Sequence, residues 1–308
     1  MTSESSFIGL MRAIATDPAA RGLDDDVAIL QLGDQTLILT QDMMVESVHW
    51  LPDARPEDVA WKLVSVNLSD LAAKGARPAG VMLSFMLGDD DWDKRFAAGL
   101  QAALTHYDVP LIGGDTVGNP EGMRSISMTA IGVATHVPVP SRSGAKPGDA
   151  VYVTGTLGDA KAGFDITLSG DGGYSELCDA FNQPVALIAQ GQRLAPYVSA
   201  MMDISDGLLI DAQRMAAASN AAIAIDLSKV PLSDGYMALY GSDHDSRILA
   251  SSWGDDYQLL FTAPPGADLP VTAKQIGVVL DGHGLSLHDG ANPVALPKHL
   301  GFEHRQKA

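Results

Sequence analysis

Residues 60–78 read AWKLVSVNLSDLAAKGARP, and their spacing predicts a long helix with one face in the core. At about 100° per residue, its apolar side chains fall on a single stripe, which comprises Ala60, Leu63, Val64, Leu68 and Leu71. Gly75 and Pro78 are the stop signals expected after the last turn. Asn67 lies near the centre of the stripe and Asp70 on its flank, so the helix carries polar groups where burial is expected.

A carboxylate at the border of a buried stripe needs a partner, because an unpaired buried charge is costly. In one interpretation, Asn67 and Asp70 hydrogen-bond to neighbouring backbone groups. In the other, Asp70 binds a metal ion. The helix alone leaves both interpretations open.

The length and composition predict a globular protein of two domains. A chain of 308 residues with 46% hydrophobic residues can bury a core in each. Residues 137–149 are rich in Pro and Gly, which is typical of a domain boundary, and we expect domains over residues 1–143 and 144–308. The first residues lack a basic region, and no apolar run approaches about 18 residues, so we expect a cytoplasmic protein.

The charge and cysteine content exclude several function classes. A formal charge of −18 argues against nucleic acid or an anionic membrane as a partner, because both would be repelled. The single cysteine, Cys178, excludes an internal disulfide and a multi-cysteine metal site. Of the 38 acidic residues, 32 are Asp, the short side chain favoured at helix starts, in turns and as a ligand for hard cations.

Several of these Asp residues adjoin short apolar segments that read as strands. They are Asp26, Asp42, Asp115, Asp203 and Asp206, and Asp70 lies on the helix between two of the strands. Each one alone is explained as a helix cap or turn former. If the strands form one sheet system, however, the carboxylates gather along one edge and need cations. Mg²⁺ is the natural counter-ion, because it takes carboxylate and phosphate oxygens together and lets an acidic site bind a nucleotide.

Two glycine-containing segments in the second half are expected to have no chemistry of their own. The glycines of the turn at residues 155–163 could hold a phosphate, but their spacing matches neither a Walker motif nor a dinucleotide fingerprint, which favours a plain strand-to-helix turn. Residues 169–184 are expected to form a loop.

Five pieces of sequence, in order, resemble the thiamine-monophosphate kinase family, which belongs to a superfamily with aminoimidazole ribonucleotide synthetase and selenophosphate synthetase. They are VNLSDLAAKGARP (66–78), GGDT (113–116), RSGAKPGD (142–149), VTGTLGD (153–159) and DISDGL (203–208). The resemblance runs from about Asp24 to Phe302. It implies an α+β, PurM-like fold: an N-terminal α/β domain with a mixed sheet that pairs across a homodimer into a barrel, and a C-terminal α/β domain.

The resemblance also implies site residues and a reaction. The positions that match Mg²⁺ ligands are Asp26, Thr40, Gln41, Asp42, Asp70, Asp115, Asp203 and Asp206. Those that match ATP contacts are Gly114, Asp115, Arg142 and Ser205, and those that match thiamine monophosphate contacts are His49, Asp255 and Phe302. The implied reaction turns ATP and thiamine monophosphate into ADP and thiamine diphosphate. No catalytic base is expected, because the accepting phosphate is already an oxyanion and catalysis can depend on positioning and several Mg²⁺ ions.

Some positions depart from the family pattern, and some rivals remain. Asp24 replaces a usual Gly, Gln41 a usual Thr, and Asp255 a usual Glu, which shortens a substrate contact by one methylene. A selenophosphate synthetase or a hydrogenase-maturation relative would need a cysteine near one terminus, and neither is present. An amidine-forming ligase with the same ATP-side acids and a non-enzymatic divalent-cation-binding protein remain alternatives.

Overall fold

The computed structural model describes residues 4–118, 123–170 and 173–303. Its first half is a mixed five-stranded sheet in the order β1-β2-β5-β3-β4, in which only β3 and β4 are parallel. The strands are β1 (Ala28–Leu32), β2 (Gln35–Val45), β3 (Ala76–Leu87), β4 (Leu111–Gly118) and β5 (Ser125–Ala134). The helices are α1 (Glu4–Arg12), α2 (Pro56–Ala73) and α3 (Asp90–Tyr107).

Helix α2 is the predicted helix, and it is the central element of the molecule. It packs on β2, β3 and β5 and against α3, and nearly all of its residues are buried. Gly75 ends it at φ +61°, where a Cβ atom would lie 2.5 Å from Ala195 Cβ. Pro78 lies two residues into β3, which begins at Ala76, so it belongs to the next strand as well as marking the end of the helix.

The five-stranded sheet has one covered face and one open face. Along β2, Ile38, Thr40 and Met44 are buried beneath α2, whereas Gln41 and Met43 are exposed on the opposite face. This alternation follows from the two-residue period of a strand. The edge strand β4 is exposed at every position. The covered face therefore carries the core of this half, and the open face is left to solvent.

The second half forms a separate seven-stranded sheet in the order β12-β11-β8-β10-β6-β9-β7. Its strands are β6 (Ala150–Val153), β7 (Ala200–Asp203), β8 (Ala222–Asp226), β9 (Leu259–Ala263), β10 (Lys274–Leu280), β11 (Gly284–Asp289) and β12 (Asn292–Val294). Its helices are α4 (Asp159–Ser169), α5 (Ser175–Asn182), α6 (Ile188–Leu194), α7 (Leu208–Ser219), α8 (Asp234–Tyr240) and α9 (His244–Ser252).

The carboxylates therefore come from two sheets rather than from one sheet system, because strand patterns do not say which strands pair. The two sheets are joined instead by packing against α2. Gly191 of α6 approaches it so closely that a Cβ atom would lie 1.9 Å from Ala72 O. Lys74, which follows α2, donates a hydrogen bond to Met201 O of β7 at 3.2 Å. Helix α2 therefore brings groups from both sheets together.

The expectation of a loop over residues 169–184 is also wrong in part, because α5 lies inside it. This short helix buries only Leu177 and Phe181, an i, i+4 pair too small to give a clear period. It forms against α4, where Gly163 allows the contact: a Cβ atom there would lie 1.9 Å from Leu177 O. In the described ranges, no helix combines the length and apolar character needed to cross a bilayer. The division at residues 143/144 and the cytoplasmic location stay predictions.

Candidate active site

The site begins where α2 meets β2. Asn67 donates from Nδ2 to Leu63 O at 2.9 Å, and its Oδ1 accepts a hydrogen bond from Asp42 N at 3.0 Å. Asn67 is fully buried, so these two bonds satisfy a polar group that would otherwise be costly. The backbone-bonding interpretation is therefore correct for Asn67, which ties the helix to the strand beside Asp42.

Asp70 instead belongs to a group of three carboxylates drawn from different elements. One oxygen from each of Asp26, Asp70 and Asp203 lies within 4.8 Å of the other two. Thr40 contacts Asp70 Oδ2 and lies 3.3 Å from Asp26 O, and Ser69 donates to Asp203 Oδ2 at 2.5 Å. This triad has the oxygen ligands that hard divalent cations prefer.

The carboxylates of the triad are buried close together and repel one another when no cation is bound. Burial raises the pKa of Asp70 well above its usual range, and the neighbouring carboxylates, of which Asp42 acts most strongly, raise it further. Burial and then Asp26 raise the pKa of Asp203 to about 8. Burial and the charges of Asp26 and Asp206 raise the pKa of Asp42 to about 6. Buried like charges cannot all ionise unless a positive charge joins them.

Asp26 is the exception, because two side-chain cations flank it. Lys74 Nζ lies 2.5 Å from Asp26 Oδ2 and 2.6 Å from Asp25 Oδ1, and Arg142 contacts Asp26 Oδ1. Burial opposes ionisation of Asp26, but Lys74 and Arg142 outweigh it and hold its pKa below the usual range. Sequence reasoning missed Lys74 as a site residue, because its partners Asp25 and Asp26 lie far away in the sequence.

A second charged group lies at the start of α7. Arg214 Nη1 lies 2.5 Å from Asp206 Oδ2 and 2.8 Å from Asp211 Oδ1. Asp211 Oδ2 also accepts from the backbone N–H groups of Asp206 and Gly207 at 3.1 and 3.2 Å. Burial, and then the charge of Asp206, raise the pKa of Asp211 to about 7. Neither Asp211 nor Arg214 was predicted as a site residue, although they form an i, i+3 pair.

The loop that contains Ser205 and Asp206 is also where two predicted substrate residues meet. Asp255 N donates to Ser205 O at 2.8 Å, and Phe302 N donates to Asp206 O at 2.9 Å. Gly254 makes this approach possible, because a Cβ atom there would lie 2.2 Å from Ser205 O. The structure thus joins predicted ATP, metal and substrate residues that are far apart in sequence.

Two predicted metal ligands lie elsewhere, on the open face of the first sheet. Gln41 donates from Nε2 to Ser127 Oγ at 3.2 Å, and its Oε1 accepts from Thr129 Oγ1 at 3.3 Å. Asp115 lies on exposed β4 and lines a shallow hollow with Met43, Ser84 and Ser127. The structure does not bring these two side chains into the buried triad. Gly114, a predicted ATP contact beside Asp115, leaves no room for a side chain: its Cβ would lie 1.9 Å from Leu83 O.

His49 lies in the turn that follows β2. Its Nδ1 accepts a hydrogen bond from Val45 N at 2.9 Å, and its own N–H donates to Val45 O at 2.9 Å. The ring therefore stabilises this turn, and its predicted contact with substrate stays a prediction. Asp24, at the departure from the family pattern, pairs with Arg12 on the surface.

Comparison with known proteins places this arrangement in a family. The family models described as AIR synthase related protein, N-terminal and C-terminal domains, match residues 24–134 and 146–290. A thiamine-monophosphate kinase from Salmonella typhimurium is 41% identical over 272 residues, which cover 83% of this chain and 81% of the relative. One from Escherichia coli K12 is 38% identical over 307 residues, covering 92% and 91%. The chain belongs to the thiamine-monophosphate kinase family.

Solved structures of this family share the fold. A structure described as AaThiL complexed with AMPPCP and TMP superposes with a TM-score of 0.88 at 32% identity, covering 98% of this chain and 97% of that one. The thiamine monophosphate kinase from Aquifex aeolicus gives a TM-score of 0.79 at 33% identity, covering 93% and 97%. The predicted PurM-like fold of two α/β domains with mixed sheets is confirmed.

Proposed function

We propose that this protein transfers a phosphoryl group from ATP to thiamine monophosphate and so forms thiamine diphosphate and ADP. The observation that carries the proposal is the match over nearly the whole chain to a kinase structure described as complexed with AMPPCP and TMP. The curated relatives are thiamine-monophosphate kinases, which favours this reaction over an amidine-forming ligase or a non-enzymatic cation-binding protein.

The donor set fits Mg²⁺. Asp26, Asp70 and Asp203 present clustered carboxylate oxygens, and burial together with the neighbouring carboxylates raises the pKa values of Asp70 and Asp203. We propose that these three, with Thr40, Asp42 and Asp206, hold the metal beside the phosphates. When bound, Mg²⁺ would neutralise phosphate charge and orient the phosphate oxygens. Gln41 and Asp115 would form a separate part of the site on the open face.

Arg142 is the best-supported ATP contact among the predicted residues. Its guanidinium pairs with Asp26, which places it beside the triad. Its Nε is buried and has no hydrogen-bond partner among the described residues. A buried N–H without an acceptor is costly, and a phosphate oxygen would satisfy it. Gly114, Asp115 and Ser205 complete the proposed nucleotide contacts.

The acceptor side would be formed by His49, Asp255 and Phe302. The last two are joined to the Ser205–Asp206 loop by backbone hydrogen bonds, so the acceptor would lie next to the proposed metal ligands. The phosphate of thiamine monophosphate already carries negative oxygen at neutral pH and needs no base to make it a nucleophile. The work of the side chains is then to orient donor and acceptor and to exclude water.

We further propose direct transfer, without a phosphorylated enzyme. Carboxylates engaged with a divalent cation are poor nucleophiles, so an aspartyl-phosphate is disfavoured despite the many Asp side chains. A single displacement inverts configuration at phosphorus. We expect inversion when the reaction is run with ATP made chiral at the γ-phosphorus. Retention, or a phospho-aspartate trapped without acceptor, would contradict direct transfer.

One assay tests the reaction itself. Purified protein is incubated with ATP, Mg²⁺ and thiamine monophosphate, and thiamine diphosphate is measured by chromatography. We expect product with Mg²⁺ and none after chelation of the divalent cations. ATP turnover that forms no thiamine diphosphate would rule out the proposed acceptor, and absence of any turnover would favour a cation-binding protein.

The open face of the first sheet supports a homodimer. Large apolar side chains are exposed on this face, including Met43, Met82 and Val117. Contiguous exposed apolar surface is typical of an interface. We propose that two copies pack through their N-terminal domains, residues 1–143, so that the two sheets form a barrel and the edge strand β4 is no longer exposed.

A further inference from the structure

The Asp255 carboxylate is held by two side chains that the proposed mechanism does not use. Lys62 Nζ lies 2.8 Å from Asp255 Oδ2, and Tyr257 donates its hydroxyl to Asp255 Oδ1 at 3.0 Å. Each oxygen therefore accepts one hydrogen bond, and together the two bonds fix the plane of the carboxylate. The side chain of Asp255 remains 29% exposed, so its outer lone pairs can still meet a ligand.

The backbone at Asp255 is held as firmly as the side chain. Asp255 has φ +67° and Tyr257 has φ +49°, a left-handed conformation that costs energy for residues other than glycine. The N–H groups of both residues are fixed on the loop after β7, Asp255 to Ser205 O and Tyr257 to Ile204 O, each at 2.8 Å. Such strain persists only where surrounding contacts impose it, which indicates a preorganised group.

Lys62 is committed to this ion pair by its surroundings. Only 4% of its side chain is exposed, and its Nζ lies 4.1 Å from the centre of the Phe181 ring. Water is largely excluded, so the attraction between the ammonium and the carboxylate is stronger than on the surface. The ring of Phe181 stabilises the ammonium from the other side by a cation–π contact.

Lys62 also connects the acceptor side to the triad through one rigid element. Lys62 and Asp70 lie on α2, eight residues apart, which corresponds to about 12 Å along a helix. Ser69 of the same helix orients Asp203. A single helix therefore sets the distance between the Asp255 carboxylate and the proposed metal ligands.

We propose that Lys62 is a positioning residue for the acceptor substrate. It orients the Asp255 carboxylate so that its outer lone pairs accept hydrogen bonds from the amino group of the substrate's aminopyrimidine ring, and it does not itself touch the substrate. This inference rests on the proposed function, because it takes thiamine monophosphate as the acceptor.

The test separates binding of the two substrates. In Lys62→Met, we expect KM for thiamine monophosphate to rise about tenfold, because an oriented charge-assisted contact is lost. KM for ATP and kcat should stay within about twofold of wild type, since Lys62 does not contact the triad. In the double variant with Asp255→Asn, the two effects should not add, because they act on one contact.

The matched control is Lys161→Met. Lys161 also lies over an aromatic ring, 4.7 Å from the centre of Trp253, but it pairs with Asp165 at 2.6 Å rather than with Asp255. We expect no change in KM for thiamine monophosphate in this variant. An equal rise in both lysine variants would overturn the inference, because it would report a general effect of losing a buried cation.

Other outcomes distinguish this inference from the proposed function. Wild-type kinase activity together with an unchanged KM in Lys62→Met would overturn the positioning role and leave the function intact. Absence of thiamine diphosphate synthesis in wild type would overturn the function itself. If Lys62→Met does not fold, Tyr257→Phe decides: it removes only the hydroxyl that bonds Asp255, and we expect KM for thiamine monophosphate to rise about threefold. No rise would overturn the inference.

Discussion

Both faces of the five-stranded sheet carry polar residues, but those on one face are buried and those on the other are exposed. On the covered face, Thr40 and Asp42 lie beneath α2 beside Asp70, and burial raises the pKa values of both carboxylates. On the open face, Gln41 bonds Ser127 and Thr129, and Asp115 lies on an exposed strand. Consecutive residues of β2 thus point to different environments.

The two faces differ in whether the fold itself creates a need for a bound cation. On the covered face, packing forces carboxylates together, so the apo protein keeps unfavourable electrostatic energy that a divalent cation can relieve. On the open face, Gln41 and Asp115 are exposed to solvent, and packing does not force carboxylates together there. Changes on the covered face should therefore alter both activity and electrostatics, whereas changes on the open face should alter activity or assembly alone.

The largest expected effect is that of Asp70→Asn. We expect kcat to fall about 10³-fold, because a proposed metal ligand is lost from a site that depends on charge stabilisation. The melting temperature should stay equal or rise, since a neutral amide of the same shape relieves repulsion. Steady-state kinetics beside thermal melting provide the measurement. Asp34→Asn, in an exposed turn, is the matched control and should change neither. Full activity would disprove the metal role, and unfolding would favour a purely structural role.

Asp115→Asn should have a smaller effect, a fall in kcat of about 10²-fold, with no change in melting temperature because the side chain is solvated. The pH dependence of stability should also match that of wild type. Kinetics and melting curves at two pH values measure these quantities. A shifted melting curve would mean that Asp115 supports the fold, and the contrast between the faces would then fail.

We also expect the open face to form the interface of the dimer. We expect light scattering to give a dimer at micromolar concentration for wild type and a monomer for Met82→Asp, because a charge in an apolar interface costs several kcal/mol, about 2–5. Met82 is 43% exposed, and Leu280, at 44%, lies in the other sheet. The control Leu280→Asp should therefore remain dimeric. A wild-type monomer would contradict the proposed barrel.

The smallest effect concerns pH. The folded pKa values of Asp42, Asp211 and Asp203 are about 6, 7 and 8, above the ordinary value of 3.8. The folded protein thus binds more protons than the unfolded chain, and stability falls as pH rises from about 4 through 8. Asp26, whose pKa is lowered, is ionised in both states over most of this window and does not reverse the trend.

Without divalent cations, raising the pH from 6 to 8 should therefore lower the melting temperature by about 2–5 °C. Mg²⁺ should reduce this difference, because it binds the ionised carboxylates. Asp203→Asn should also reduce it, since one of the titrating groups is removed. Melting curves with Mg²⁺ or a chelator provide the measurement. Stability that rises over this pH interval in the chelated protein would contradict the electrostatics of the covered face.

Local pattern was enough for much of this protein. The stripe from Ala60 to Leu71 predicts α2, because it shows the period of the buried face of that helix. The five motif pieces identify the family. Asp255 and Phe302 bond to the backbone of the Ser205–Asp206 loop, and their role as substrate contacts stays a prediction. The sequence does not predict helix α5, because two buried side chains on eight residues do not establish a helical period.

Only the tertiary structure decided which charges share a site and which face they lie on. Lys62 pairs with Asp255, which lies 193 residues later in the chain. Lys74, in the turn that ends α2, pairs with Asp26. Gln41 and Asp42 are neighbours in sequence, yet only the packing of α2 on one face of the sheet sends them to different environments. Sequence shows which side chains are present and their local period. The partners of these side chains depend on which distant segments pack against each other and exclude water, and no local pattern shows which segments those are.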